Sequence, residues 1–554
     1  MLDGCTPWPE SDARRFRATG LWEGLTITQR LARTIGERPD QVALVHGAER
    51  LSYRELGEAI DRLACGFFEA GIEPRDRVVL QLPNTISFVL TYFALVRIGA
   101  IPVTALRAHR HTEVAHFLRS SGAVAYVIPD RIRDFDYRAM ALELIARAPA
   151  LRSVFVDGVP APGQRALRPL VDAPIGPGEA VARLASIPVD AGEVATMLLS
   201  GGTTSLSKLI PRTHDDYVLN ARLCGAVAGF DRSTVHLAIL PLGHNYNLAS
   251  PGLMGALYAG GTVVLAQSGD AAHVFDLVER ERVTSVAAVV PLISGWLASD
   301  EPGRHDLSTL RVVQNGGARL APELRERLRE RLGAIPQEIY GTAEGLINMT
   351  RLDDPDELLL GSSGAPVSDD DEIRVVDDAG RDVEDGESGE LLTRGPYTIR
   401  GYYRAEEKNR EAFTADGWYR MGDIVRKRGR HVWTEGRRKD LINRGGEKIS
   451  CEEVENLIYG HPKVRVVTLV GMPDPVMGER ACAFVVLHPG ETLGFDELIA
   501  FLRAQNIASF KLPERLELVS ELPTSPVGKI LKRELRDRIA AKLEAEVAPG
   551  RSGG

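Results

Sequence analysis

Short runs of apolar, often β-branched residues alternate with longer stretches of helical periodicity through roughly the first 435 residues. Examples are "DRVVLQLP", "AVAYVIP", "VHLAILPL", "GTVVLAQ" and "VTSVAAVVP". Uninterrupted apolar runs of this length are typical of strands that are buried on both faces of a sheet. The pattern therefore predicts an α/β fold, with a large domain of layered sheets whose strands are mostly parallel.

The pattern changes after "WTEGRRKDLINRGGEKIS" to a compact series of helix, two strands, helix and strand. Ser450 and Glu453 have the S-x-x-E spacing of a capping box, which predicts that a helix opens at "CEEVENLIYGHP". We therefore predict an N-terminal core over residues 1–438 and a small mobile α+β domain over residues 439–554. The polar, glycine-bearing stretch at 435–448 would be the hinge between them.

Two further segments have clear signatures. The apolar segment 86–103 contains Arg97 and a glycine, so it predicts a core helix running into a strand rather than a membrane span of about 20 apolar residues. The segment 160–177 is rich in Pro and Gly and predicts a surface loop.

Composition and charge limit the classes of partner and the cellular compartment that we expect. The formal net charge is −9 without a long Lys/Arg block, which argues against nucleic acid and anionic lipid as partners. The five cysteines are widely spaced and lack C-x-x-C pairs, which favours a reducing compartment and argues against a structural zinc site. The first residues carry charges where a signal peptide would be apolar, so we expect a cytoplasmic protein.

The run "LLSGGTTSLSKLIPRTH" is rich in glycine, hydroxyl groups and lysine, as a phosphate-binding loop would be. It does not match a P-loop, because Ser207 stands at the second glycine position and Leu209 at the hydroxyl position. Two interpretations remain from this stretch alone: a strand-to-loop phosphate cradle, or a solvated turn.

The order of several motifs is more specific than any one of them. After the glycine-rich loop the chain contains "LPLGHNYNLASPG", "NGGARL", "YGTAEG", "GWYRMGDIV", "EGRRKDLINRGGEKIS" and "PTSPVGKILKREL". This series closely resembles the adenylate-forming superfamily of acyl-CoA synthetases, adenylation domains and luciferases, over essentially the whole chain. The blocks "HNYNLASPG" and "NRGGEKIS" resemble the stand-alone aryl acid AMP-ligases, which activate 2,3-dihydroxybenzoate or salicylate for siderophores.

The resemblance implies two reactions. An acid is first joined to AMP with release of pyrophosphate from ATP, and the acyl group then passes to a thiol. Carboxylate and α-phosphate are both anions, so positive charge must be supplied locally by magnesium and a lysine. Lys529 matches the family's catalytic lysine, although a lysine after a glycine turn is by itself typical of a solvated surface. We expect Lys529 to be exposed in the free enzyme.

The resemblance also assigns nucleotide-binding residues. Asp423 and Arg437 match ribose-binding positions, with a surface salt bridge as the alternative. Gly317, Ile339 and Tyr340 match the adenine pocket, where glycine permits close approach and the aromatic ring stacks on the purine. Buried strand packing is the alternative role of Ile339.

The resemblance also assigns residues to phosphate binding, to magnesium binding and to the hinge between the domains. Thr203, Thr204 and Lys208 belong to the phosphate loop, and Glu344 matches the magnesium-associated glutamate of the family. Magnesium needs few protein ligands when phosphates supply the rest. Lys439 matches the hinge position about which the small domain rotates, and an exposed linker lysine without a role is the alternative.

For the acid, the resemblance places His244 among the catalytic residues and Asn245, Tyr246, Ser250 and Ile347 in the substrate pocket. Amino-acid-activating relatives carry an aspartate in this block to hold the α-ammonium, and none is present here. A neutral Asn245 can meet a phenolic 2-hydroxyl, and by the resemblance Ser250 matches the position near ring carbon 3. These residues favour 2,3-dihydroxybenzoate over salicylate, with a hydroxypicolinate or another aryl acid still open.

The sequence leaves more than one candidate for the thiol that accepts the acyl group. The stretch after Leu535 lacks the pattern that bears phosphopantetheine, so the resemblance implies an aryl carrier protein supplied as a separate partner. The alternative functions are an aryl- or acyl-CoA ligase and a non-catalytic nucleotide-binding module. No membrane partner is expected, and the family allows a homodimer.

Overall fold

The computed structural model describes residues 1–200, 207–445, 447–505, 507–525 and 528–547, without the side chains of Lys439, Lys448 and Val547. Its α-helices are α1 Glu10–Ala18, α2 Ile27–Glu37, α3 Tyr53–Glu69, α4 Ile86–Arg97, α5 His111–Ser121, α6 Tyr137–Ile145, α7 Arg168–Val171, α8 Pro177–Leu184, α9 His214–Val227, α10 Asn245–Ala249, α11 Gly252–Tyr258, α12 Ala271–Glu281, α13 Val290–Ala298, α14 Pro322–Leu332, α15 Asp356–Gly361, α16 Glu406–Ala412, α17 Cys451–Tyr459, α18 Phe495–Ala504 and α19 Lys532–Val547. Short 3-10 helices lie at Glu301–Arg304, Arg438–Asp440 and Ser509–Lys511.

The strands are β1 Val42–His46, β2 Glu49–Ser52, β3 Arg77–Leu80, β4 Ile101–Thr104, β5 Ala125–Pro129, β6 Arg131–Ile132, β7 Phe135–Asp136, β8 Ser153–Asp157, β9 Arg165–Ala166, β10 Val194–Leu199, β11 Leu209–Thr213, β12 Val235–Ala238, β13 Thr262–Leu265, β14 Ser285–Ala288, β15 Val312–Gly316, β16 Ile335–Thr342, β17 Gly345–Met349, β18 Ala365–Pro366, β19 Glu372–Val376, β20 Ser388–Arg394, β21 Tyr419–Arg428, β22 His431–Arg437, β23 Ile442–Arg444, β24 Glu447–Ile449, β25 Val464–Asp474, β26 Gly478–Leu487 and β27 Arg515–Leu518.

The body contains two large sheets. In the described part of the chain, one sheet has nine strands in the order β18-β17-β16-β15-β14-β12-β13-β1-β2, and the other has seven in the order β11-β10-β4-β3-β5-β8-β9. Neighbours from β16 to β1 pair in parallel, with antiparallel strands at the edges. In the second sheet β11 pairs antiparallel with β10, and the other described neighbours pair in parallel. The predicted layered α/β class is confirmed.

Helices between the sheets form the main core. Leu63 of α3, Phe93 of α4 and Leu253 of α11 belong to one buried cluster, which also includes residues of β1 and β3. The apolar segment 86–103 is helix α4 followed by strand β4, as predicted. Among the described residues, no helix combines the length and the hydropathy that crossing a bilayer would require.

The C-terminal part has its own sheet and core. Strands β24, β23, β26 and β25 are neighbours in that order, and β27 pairs with β26. Ile449, Val454, Leu469 and Leu498 belong to a separate buried cluster. This is the small α+β domain that the sequence predicts. A 3-10 helix, Arg438–Asp440, spans the predicted boundary, whose position at residue 438 stays a prediction.

Two local predictions are only partly right. The segment 160–177 contains strand β9 and helix α7 rather than loop alone. Helix α17 begins at Cys451 with Ser450 Oγ accepting a hydrogen bond from the Glu453 backbone N–H at 3.2 Å. The Glu453 carboxylate, however, binds Lys511 Nζ at 2.6 Å, and this ion pair replaces the reciprocal half of the capping box.

Candidate active site

The predicted adenine residues meet where two parallel strands end. Gly317 follows β15 directly, and its neighbour Gly316 is paired with Ile339 of β16. Gly317 has a φ of +84°, which favours glycine, and a Cβ there would lie 3.4 Å from Cε of Lys529. The backbone of this loop therefore passes directly beside the predicted catalytic lysine. Such strand ends are the usual ligand sites of α/β sheets.

A buried ion pair that the sequence analysis missed supports this loop. Arg325 of α14 and Glu338 of β16 are almost fully buried, with Nη2 and Oε2 3.0 Å apart. Glu338 also accepts a hydrogen bond from Asn315 Nδ2 at 3.0 Å, and the same amide nitrogen donates to the Ala318 carbonyl at 2.7 Å. Nothing in the arginine-rich sequence of α14 distinguishes Arg325 from its exposed neighbours.

The predicted ribose residues form one cluster. Asp423 of β21 is 5% exposed and faces Arg437 of β22, with Oδ1 3.3 Å from Nε. Tyr340 donates its hydroxyl to Asp423 Oδ2 at 2.8 Å. A cavity of about 340 Å³ beside them is lined by Met421, Gly422, Arg437 and Arg438. Asp423 keeps acceptor capacity for ligand hydroxyls beyond these two partners.

The phosphate loop is described only at its base. Thr203 and Thr204 lie outside the described residues. The Lys208 N–H donates to Ser200 Oγ at 2.9 Å, and Nε2 of His116 lies 2.9 Å from the Ser207 carbonyl oxygen. These contacts close the base of the predicted cradle.

Lys208 and Glu344 meet at a tyrosine pair. Lys208 Nζ lies 4.0 Å from the centre of the Tyr402 ring, and the Tyr402 hydroxyl donates to Glu344 Oε1 at 2.8 Å. The Tyr402 and Tyr419 hydroxyl oxygens are 3.3 Å apart. Burial lowers the pKa of Lys208. Tyr402, which sequence reasoning missed, links the predicted phosphate and metal residues.

His244 begins the acid-binding segment as the N-cap of α10. Its Nδ1 accepts a hydrogen bond from the Tyr246 N–H at 3.3 Å. Burial, and then the nearby charge of Lys529, lowers the pKa of His244 to about 4. The imidazole is therefore neutral at physiological pH and presents Nε2–H as a donor.

The amide of Asn245 belongs to a buried hydrogen-bond network. Tyr217 of α9 donates its hydroxyl to Asn245 Oδ1 at 2.9 Å. Ser250 Oγ accepts hydrogen bonds from Asn245 Nδ2 at 3.2 Å and from Asn220 Nδ2 at 2.9 Å. Tyr217 and Asn220 were not predicted, because a buried polar residue on α9 has no distinct pattern in one sequence.

Tyr246 and Ile347 are both buried, at 8% and 3% exposure. The Tyr246 ring packs on Gly316, where a Cβ would come within 2.8 Å of it. Ile347 of β17 is paired with Gly341 of β16. The structure thus brings the predicted acid pocket against the same strand ends that bear the adenine loop.

Lys529 is half-buried rather than exposed, so that expectation is wrong. Its N–H donates to Ser525 Oγ at 3.1 Å, and its carbonyl accepts from the Ser525 N–H at 2.7 Å. Gly528, with φ +79°, fits closely on the body, because a Cβ there would lie 2.7 Å from Cγ2 of Val289. Packing of this loop on the body covers the lysine. The side chain of Lys439, the predicted hinge residue, lies outside the described part.

Family comparison agrees with this geometry. Residues 31–403 match the family described as AMP-binding enzyme, and residues 453–529 match the AMP-binding enzyme C-terminal domain. The chain belongs to the AMP-binding enzyme family. It is accordingly an adenylate-forming ligase, as the resemblance implied. The roles of individual site residues stay predictions.

Known relatives of this family member match almost its whole length. It is 47% identical to the 2,3-dihydroxybenzoate-AMP ligase of Bacillus subtilis over 547 residues, which cover 98% of this chain and 99% of that protein. It is 46% identical over 549 residues to a salicylyl-CoA synthase / salicylate adenylyltransferase of Streptomyces sp, with the same coverage. The apo structure of Mycobacterium smegmatis MbtA matches with a TM-score of 0.73 and 38% identity, covering 97% of this chain and 99% of that chain.

Proposed function

We propose that the chain activates an aryl carboxylic acid with ATP, giving an aryl-adenylate and pyrophosphate. The acyl group then passes to the phosphopantetheine thiol of a separate aryl carrier protein. The observation that carries this proposal is the convergence of the neutral pocket of Asn245 and Ser250, the adenine loop at Gly317 and the side chain of Lys529. The acid, the adenine of ATP and the negative charge where the two react would thus each have a suitable partner within one site.

The pocket chemistry favours an aromatic hydroxy acid. The segment from His244 to Ser250 has no acidic residue, so it offers no partner for an α-ammonium group. Among the described residues, Asn245 Oδ1 and Nδ2 each have one hydrogen-bond partner, which leaves one acceptor and one donor position for a 2-hydroxyl and the carboxylate. The remaining acceptor and donor positions of the amide both suit a 2-hydroxybenzoate.

Lys529 supplies the positive charge that adenylation requires. Lys529 Cε lies beside Gly317, and the lysine charge acts on His244, which supports an ammonium that lies between the predicted adenine and acid pockets. An ammonium there would reduce the repulsion between carboxylate and α-phosphate and would stabilise the charge of the transition state. His244, being neutral, adds a hydrogen-bond donor without repelling the lysine.

ATP would bring magnesium with it. Glu344 fits this role, because it is a buried carboxylate beside the base of the phosphate loop, and magnesium is usually held by one or two carboxylates plus phosphates. When bound, the metal would neutralise charge on the departing pyrophosphate. In the described residues, no group of three or more His, Cys, Asp or Glu forms a metal site.

Within the hydroxybenzoates we propose 2,3-dihydroxybenzoate first and salicylate next. Ser250 Oγ accepts hydrogen bonds from two amide N–H groups of this pocket, and a hydroxyl group there suits an oxygen on ring carbon 3 better than an apolar side chain would. The names of relatives support this class, including a vibriobactin-specific 2,3-dihydroxybenzoate-AMP ligase of Vibrio cholerae at 42% identity. They also support a siderophore-type pathway.

A second candidate function is an aryl-CoA ligase, which shares the first reaction and uses CoA as the thiol. The Streptomyces relative is a salicylyl-CoA synthase / salicylate adenylyltransferase, and this supports the second candidate. Purified enzyme should be given salicylate or 2,3-dihydroxybenzoate with ATP and either CoA or a holo aryl carrier protein. We expect efficient thioester formation on the carrier only. Efficient turnover with CoA alone would establish the second candidate.

The acid is identified by exchange of labelled pyrophosphate into ATP. A panel should include both hydroxybenzoates, 3-hydroxybenzoate, benzoate and phenylalanine. We expect rapid exchange with the two 2-hydroxy acids and little with the others. Exchange that is equally fast with phenylalanine, or absent with every aryl acid, would refute the proposed substrate class.

A further inference from the structure

The small domain contacts the body beside the nucleotide side of the site. Its lysine loop packs on the body through Gly528 and Val289, as described above. Tyr459, at the end of α17, packs against a buried cluster of the body that includes Val289 and Ile339. The first turn of α17 lies at the same interface and contributes a charged residue, Glu452.

Glu452 joins two elements of the body. Thr434 of β22 donates its hydroxyl to Glu452 Oε1 at 3.0 Å. Arg319 Nε lies 3.8 Å from the same oxygen. Arg319 is two residues after Gly317, so it belongs to the loop that contacts Lys529. The carboxylate side chain is only 19% exposed.

Neighbouring acidic residues of α17 have partners inside the small domain instead. Glu453 pairs with Lys511, with Oε2 and Nζ 2.6 Å apart, and Glu455 pairs with Lys532 at 2.7 Å. In the part of the chain that the structure describes, Arg319 Nε is buried and makes no hydrogen bond. Arg319 Nε is a buried donor, and the carboxylate next to it is that of Glu452. This indicates that Glu452 is oriented towards the body and not towards its own domain.

We propose that Glu452 is a positioning residue for adenylation: through Thr434 and Arg319 it holds the small domain in the orientation that places Lys529 beside Gly317. This proposal rests on the proposed function. A reacting group displaced by about 1 Å can lower a rate about 100-fold, so a contact that fixes a domain can control a catalytic lysine it never touches. The family resemblance implies a rotated domain for thioester formation, in which this contact is not needed.

The test compares Glu452→Ala and Glu452→Gln with Glu453→Gln as a matched control on the same helix turn. Pyrophosphate exchange reports adenylation, and thioester formation from synthetic aryl-adenylate reports the second half-reaction alone. For Glu452→Ala we expect kcat of exchange to fall about tenfold, with an unchanged KM for the acid and a wild-type rate of the second half-reaction. Glu452→Gln keeps an acceptor for Thr434 and should restore most of the exchange rate. Glu453→Gln should behave as wild type.

Equal losses in both half-reactions would show that Glu452 only stabilises the fold and would overturn the proposal. So would an unchanged exchange rate in Glu452→Ala. Trypsin cleavage at residues 435–448 of the full chain, with ATP and without acid, gives a second readout. We expect faster cleavage of Glu452→Ala than of Glu453→Gln, and equal rates would overturn the proposal. The cleavage assay needs no aryl acid, so it tests the role of Glu452 even if the wild-type enzyme does not exchange pyrophosphate with aryl acids. Such a failure of exchange would contradict the proposed function alone.

Discussion

The proposed acid pocket and the domain interface are built in different ways. In the acid pocket, Tyr217, Asn220, Asn245 and Ser250 bind one another, all are buried, and all belong to the body. At the interface, Lys529 and Glu452 come from the small domain and are only partly buried. One region is complete within a single domain, whereas the other exists only while two domains are in contact.

From this difference we expect the proposed acid pocket to select the acid and the domain interface to control the reaction rate. If the proposed function holds, a network whose members fix one another needs no rearrangement to accept a planar acid, and so would provide specificity. A lysine held by a few contacts between domains can be brought to the site and withdrawn. We therefore expect changes in the acid pocket to alter KM for the acid, and changes at the interface to alter kcat.

The largest effect should come from Lys529→Ala. Loss of the ammonium removes charge stabilisation in the transition state, so exchange should fall about 100- to 1000-fold. Thermal unfolding should change little, because the side chain is only partly buried. Lys542→Ala, which removes an exposed lysine paired with Glu517 in the same domain, is the control and should retain exchange. Near-normal exchange by Lys529→Ala would remove the lysine from the mechanism.

Asp423→Ala should affect the nucleotide and spare the acid. Loss of a charged acceptor for the ribose hydroxyls, worth about 1.5–3 kcal/mol, should raise KM for ATP by about 10- to 100-fold. The KM for the acid should be unchanged. Asp385→Asn, on an exposed carboxylate that binds Lys427, is a control expected to leave both constants unchanged. A rise in the acid KM alone would place Asp423 elsewhere.

Tyr217→Phe should have a smaller effect, confined to the acid. Removal of the hydrogen bond to Asn245 Oδ1, about 0.5–1.5 kcal/mol, should raise KM for the acid about two- to tenfold. Tyr258→Phe loses a buried hydrogen bond to the Ile27 carbonyl, outside this network, and controls for general loss of stability. If both variants raise the acid KM equally, the network does not act on the acid.

The smallest expected effect is a pH dependence of the contact between the small domain and the body. Burial raises the pKa of Glu452 to about 7, partly offset by Arg319, with Glu455 and Lys532 also nearby. A raised carboxyl pKa means that the docked state favours the protonated form, so docking should weaken as pH rises through about 7. Trypsin cleavage at 435–448, normalised to Glu453→Gln, should therefore increase between pH 6 and pH 8 by a few-fold at most. In Glu452→Gln this rise should be absent, and its persistence there would exclude Glu452 as the cause.

Sequence patterns predicted the layers of the fold, whereas the candidate site residues came from motif resemblance, and their position at the ends of β15 and β16 emerged only from the structure. Apolar runs reveal buried parallel strands because burial on both faces leaves no polar alternation. Asp423 and Arg437 could be paired in advance only through motif resemblance, since 14 residues separate them and the register of β21 and β22 brings them together.

Contacts between distant elements could not be predicted. Glu452 and Glu453 are adjacent and identical in type, yet one faces the body and the other binds Lys511. Lys529 was expected to be exposed because a single sequence does not reveal that Gly528 fits against Val289. Such distinctions depend on how two domains are oriented, which local patterns do not encode.

The most direct test of the central claim is pyrophosphate exchange by the wild-type chain with 2,3-dihydroxybenzoate, with salicylate and without acid. The account predicts exchange that depends on the added hydroxybenzoate and on magnesium. Exchange that is absent with both acids, or that proceeds equally without acid, would contradict it.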